Sequence, residues 1–127
     1  AFAMIIVAAA TAAASWSAGS PPRAEAIEVR MPKLSTVAQV GQWSFFNNCA
    51  QYHGVEANGT DKGPLLIHKI YEPNHHGDTA FLLAIARGTR QHHWNFGDMV
   101  PQPKVRRMEA EAIIKFVREV QRANGIE

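Results

Sequence analysis

The sequence predicts an all-α fold of three main helices. Three segments repeat apolar residues at three- and four-residue spacing, and none alternates apolar and polar residues in the two-residue period of a strand. Capping residues or glycines bracket most of these segments. At 127 residues the chain has room for one ordinary domain around one hydrophobic core.

The elements follow in order. Residues 1–16 form a nearly unbroken, alanine-rich apolar run led by Phe2, Met4, Ile5, Ile6 and Val7. The run is short for a membrane span of ~20 residues and also suits a signal-peptide core with small residues near Ala14. Because the segment stands in the chain, the expectation is a membrane-anchoring (transmembrane) helix, with a cleaved leader as the alternative. Either places the domain outside the cytoplasm, on the periplasmic face of a bacterial inner membrane or soluble in the periplasm. Residues 17–33, with Gly19, Pro21, Pro22 and Pro32, read as an extended linker. Residues 34–127 form the folded domain.

Within that domain Ser35 and Thr36 can cap a helix over residues 37–48, with Val37, Val40, Trp43, Ser44 and Phe45 along one side. Gly41 at its middle costs ~1 kcal/mol against alanine, a loss usually tolerated where another helix approaches closely. Asp78 can cap a second helix through Phe81, Leu82, Ile85 and Ala86, ended by Gly88. The strongest periodicity runs over residues 107–123, where Met108, Ala112, Ile113, Phe116, Val117 and Val120 recur and Gly125 follows. Arg106 and Arg107 are poor capping residues for its start. Long irregular stretches, 54–77 and 89–105, are uncommon in a compact domain unless something holds them. A large apolar cofactor would do so and would also enlarge a small core.

Charge excludes one class of partner. The 13 basic and 11 acidic residues leave +2, and from Leu34 onward 10 basic residues face 9 acidic ones, so no concentrated basic face for nucleic acid is expected. The single cysteine, Cys49, excludes an internal disulfide and a CxxC redox centre.

Asn48-Cys49-Ala50-Gln51-Tyr52-His53-Gly54 resembles the CxxCH haem-attachment motif of class I cytochromes c, with Tyr52 in place of the second cysteine. Gly63-Pro64-Leu65 resembles the family's loop after that motif, and the stretch from His92 to Pro101, containing Met99, its methionine-ligand loop. Gly41 and Phe45, set against Phe116 and Val117, match its contact between first and last helices. The resemblance covers residues 34–126. It implies a cytochrome c-like domain with long loops around one haem c, with His53 and Met99 as axial metal ligands. It further implies that the Pro64 carbonyl accepts the other ring N–H of His53, and that Leu65, Leu66, Ile85 and Phe96 form the haem wall.

Tyr52 cannot form a thioether, so one covalent link through Cys49 is expected, with Tyr52 beside the porphyrin edge. The implied function is a membrane-tethered single-electron carrier, not an enzyme, serving redox partner proteins of a respiratory or photosynthetic complex, with no small-molecule substrate. The alternative is a structural subunit of a membrane complex that keeps the fold without a functional haem. The pairs His75-His76 and His92-His93, with His68 alone, could bind zinc or copper, but the sequence sets no three or four ligands together at metal spacing. They are therefore assigned to the surface or to haem-propionate contacts.

Overall fold

The computed structural model describes residues 27–127, so the expected anchor over residues 1–16 lies outside the described residues. Helix α1 spans Thr36–Asn48, a single turn α2 spans Ala50–His53, α3 spans Asp78–Arg87 and α4 spans Arg107–Ala123. A 3₁₀ turn at Lys69–Tyr71 interrupts the first long loop. No strand is present among the described residues beyond an isolated antiparallel bridge between Thr89 and Met99. No helix among them is long and apolar enough to cross a membrane.

The cap of α1 is Ser35, whose side chain accepts the Ala38 N–H. The same serine ties α1 to α4: its Oγ donates to Glu119 Oε1 at 2.6 Å and its N–H donates to Oε2 at 2.9 Å. Burial works against the Glu119 charge, but these two donors, helped by Lys115 and Arg122, outweigh it and hold the carboxyl below its ordinary range.

The face of α1 corrects the expectation. Ala38, Gly41, Ser44 and Phe45 are buried, whereas Val37, Val40 and Trp43 are exposed, Trp43 by 70%. Apolar residues surround this helix, so apolarity alone does not select its core side. Close approach does. A Cβ built on Gly41 would lie 1.8 Å from the backbone oxygen of Ala112, and one turn further the Phe45 and Phe116 rings pack at 5.3 Å. Gly41→Ala is therefore expected to destabilise the domain by about 3 kcal/mol, since backbone must move to admit the methyl. The gain in helix propensity, ~1 kcal/mol, is too small to offset this. Denaturant unfolding checks it, and equal or higher stability of the variant would refute the close contact.

In α3 the expected cap moves by one residue. Gly77 occupies the cap position and Asp78 begins the helix, where its carboxylate takes Arg118 Nε at 2.8 Å. Ile85 is buried, Phe81 and Leu82 are half-buried, and Ala86 is exposed. Helix α4 starts at Arg107 as expected, its entry fixed by Glu109 Oε2 accepting the Arg106 N–H at 3.0 Å. Ile113, Phe116, Val117 and Val120 form its core face, but Met108 is 82% exposed, because the helix overhangs the core at that end.

Two polar residues are buried in α4. Arg118 donates to the Tyr71 carbonyl at 2.6 Å and the His76 carbonyl at 2.5 Å, and lies 4.7 Å over the Phe81 ring. Gln121 Nε2 donates to the carbonyls of Leu66 and Tyr71 at 3.0 and 3.1 Å. These bonds satisfy loop carbonyls that the helix buries, and they answer what holds the first long loop in place. The described end of the expected linker is also docked. Val29 is buried, and Arg30 exchanges two 2.9 Å hydrogen bonds with the Asn124 side chain, so packed chain begins before Leu34.

Candidate haem site

The helical core walls a cavity of about 430 Å³, within the range of small-molecule and cofactor sites. Phe45, Leu66, Phe81, Ile85, Ile113 and Val117 supply apolar lining. A second cavity of about 130 Å³ adjoins it, and Cys49, His53, Pro64, Phe96, Gly97 and Met99 line both.

Cys49 caps the C-terminal end of α1 and His53 ends α2, so one continuous run of backbone carries both side chains. Burial pushes the Cys49 thiol up to about 11, which keeps it protonated at neutral pH. His53 is buried, and the burial lowers its pKa against the opposing effect of its bond to Pro64, so the ring is neutral at neutral pH. Its Nδ1 lies 2.8 Å from the Pro64 carbonyl. A carbonyl only accepts, so Nδ1 carries the proton and Nε2 keeps its lone pair on the cavity wall.

The loop after His53 is shaped by this geometry. Gly59 N–H donates to the His53 carbonyl at 2.7 Å and Thr60 Oγ1 to the Tyr52 carbonyl at 2.7 Å. Gly63 is packed so closely that a Cβ there would lie 2.7 Å from the Tyr52 oxygen, and this brings Pro64 onto the histidine.

Met99 reaches the wall from the opposite loop. Its N–H and carbonyl pair with Thr89 at 2.9 and 3.0 Å, and Gln102 N–H donates to the Ile85 carbonyl at 2.7 Å, fixing the loop against α3. Gly88, at φ +74, has no space for a side chain, because its Cβ would meet the Met99 oxygen at 2.4 Å. Within the loop Gln91 accepts the Gly97 N–H at 2.6 Å, and its own N–H donates to Asp98 at 2.9 Å.

The expected site residues therefore divide. Cys49, His53, Pro64, Phe96 and Met99 share the cavity walls, with Phe96 at an exposed rim. Tyr52 lines the smaller cavity and is 39% exposed. Leu65 is on neither wall. It packs against Gly59, while Leu66 takes the place on the large cavity. Sequence reasoning missed Trp94, whose Nε1 donates to the Tyr71 hydroxyl at 3.0 Å and joins the two long loops.

It also missed how the histidine pairs meet. His75, His76 and His93 have ligand atoms all within 4.8 Å of one another, and the His92 ring lies tilted 4.2 Å from that of His93. The sequence places no three ligands together locally, and here two separate loops bring three histidines together. Desolvation, and then the neighbouring His92, His76 and His75, hold the His93 pKa below its ordinary value.

The donor set fits a haem: a neutral, carbonyl-oriented imidazole, a thioether and a thiol line one apolar cavity. A family model described as Cytochrome c matches residues 38–121, the span that contains every residue lining both cavities. No curated protein matches the chain, and no solved structure does.

Proposed function

The chain belongs to the cytochrome c family, and we propose that it is a single-electron carrier whose haem is ligated by His53 and Met99. Family membership implies covalently bound haem c. The observation that carries the reading is the His53–Pro64 bond on a cavity wall shared with Met99. When bound, the haem iron supplies a one-electron couple.

The chain's own residues set the conditions. Pro64 holds the His53 ring in the tautomer that offers Nε2. Met99 offers a soft thioether, which favours ferrous iron and raises the potential. Haem ligation by both His53 and Met99 would leave the iron no open position for a substrate, which supports a carrier over an enzyme. Phe45, Leu66, Phe81 and Val117 exclude water, and the exposed rim at Phe96 leaves an edge for electron exchange.

Tethering to a membrane complex on the periplasmic face is the finer part of the proposal and rests on residues 1–16. A tether would replace diffusion with a high local concentration at the redox partners. A second reading, a structural subunit without functional haem, is favoured by one observation. Val37, Val40, Trp43 and Phe46 form an exposed apolar stripe on α1, the kind of surface that marks a protein contact.

Purification from membranes tests these readings together. One haem iron per chain and a sharp α-band that appears on dithionite reduction and disappears on reoxidation are expected. Absence of haem would replace the carrier with the structural reading. Release of the protein by a high-salt wash would remove the anchor while leaving the carrier.

A further inference from the structure

The geometry points to a second metal site in this chain: a zinc- or copper-class divalent ion held by His75, His76 and His93, with His92 placed to complete the coordination. The ligand atoms of the first three lie within 4.8 Å of one another. An ion with bonds of 2.0–2.1 Å places tetrahedral nitrogens ~3.3 Å apart, so short adjustments of exposed rings close the shell. His75 and His93 are exposed and free to make them.

A second observation is independent of that spacing. His76 Nδ1 lies 2.6 Å from the Ile70 carbonyl, and His92 Nδ1 lies 2.8 Å from the Arg90 carbonyl. Carbonyls only accept, so both Nδ1 atoms carry protons, and where both rings are neutral each Nε2 is left as an acceptor. Yet those two Nε2 atoms face each other at 3.5 Å. Two neutral rings held this way have no proton to share across that gap, so a cation between the two Nε2 atoms, a metal ion in this proposal, satisfies both. The separation is already close to that of two ligands on one ion.

The support is also prearranged. The His75 and His76 N–H groups both donate to the Glu72 carbonyl, at 3.0 and 2.8 Å, and the His76 carbonyl accepts Arg118 from α4. Ring nitrogens held by backbone carbonyls are the usual orienting shell of metal-binding histidines. A set made only of imidazoles suits zinc, copper or nickel and does not suit calcium or magnesium, which take oxygen ligands. Because the ligands come from two loops, the bound ion would staple the methionine-bearing loop to residues 75–76.

Calorimetric titration of the purified full chain with zinc chloride tests the site, and it does so whether or not the haem reading holds. One ion per chain is expected, with affinity falling at least tenfold in His75→Gln and in His93→Gln and unchanged in His68→Gln. Far-UV circular dichroism of His75→Gln and His93→Gln should match the parent, since both substituted side chains are exposed. His76, His92 and His93 also border the large cavity, so zinc should leave the ligand bands of any haem in place and shift its absorption only slightly, which separates this site from displacement of His53 or Met99. Absence of saturable binding, or binding indifferent to His75 and His93, overturns the proposal and returns these rings to contacts with haem carboxylates or solvent.

Discussion

Met99→Ala is expected to lower the midpoint potential by ~0.2 V, a moderate part of the ~0.8 V that axial ligands span in haem proteins. The sign follows from ligand softness. A thioether stabilises ferrous iron more than ferric, so its loss favours the oxidised state. The near-infrared band of sulfur on ferric haem should vanish, and the reduced protein should bind carbon monoxide. The effect should stay local, because the Met99 backbone is held by its pair of bonds to Thr89 and by the tight fit of Gly88 beneath it. The loop therefore keeps its path when the side chain shortens. An unchanged potential and spectrum would show that Met99 is a packing residue, whatever its position on the cavity wall.

What the sequence showed of this fold was mostly local. The ends of α1 and α4 were readable because Ser35 and Gly125 mark them within a turn of the periodic residues. The inner face of α1 was not, since Val37, Val40 and Trp43 are as apolar as the residues that turn inward. Gly41 was the better guide, because a glycine within a helix signals a neighbour's backbone, here that of Ala112. Arg118 and Gln121 carried a usable signal. Arg118 falls four residues after Ile114 and Gln121 four after Val117, inside the buried face, where a polar residue must find partners.

The candidate site divides along the same line. Cys49 and His53 sit four residues apart, so the turn that carries both is visible in one glance at the chain. The histidine cluster joins rings from two loops, with His76 and His92 sixteen residues apart. No spacing rule reaches across a tertiary contact of that kind. The Tyr71–Trp94 bond joins the two loops, and Arg118 of α4 holds the first of them through the Tyr71 and His76 carbonyls.

The last prediction concerns Tyr52, where the chain departs from its family's attachment motif. Thioether formation adds a thiol S–H across a vinyl C=C, the sulfur to one carbon and the hydrogen to the other, and needs no external oxidant. Cys49 can supply that thiol from the wall of both cavities, whereas the phenol of Tyr52 cannot. One vinyl should therefore survive and extend the conjugation of the ring. The reduced pyridine adduct is expected to absorb between the wavelengths of ordinary c-type and b-type haem, and acid–acetone should leave the haem on the polypeptide. Cys49→Ser should make all of it extractable and move the adduct to the b-type position. Tyr52→Cys should move it to the ordinary c-type position, because the exposed ring beside Gly63 and Pro64 can be exchanged for a smaller side chain without opening the core. Neither change alters His53 or Met99, so the potential should shift far less than in Met99→Ala. Complete extraction of haem from the unsubstituted protein would mean that Cys49 carries no thioether, leaving the buried, protonated thiol as a packing group at the end of α1.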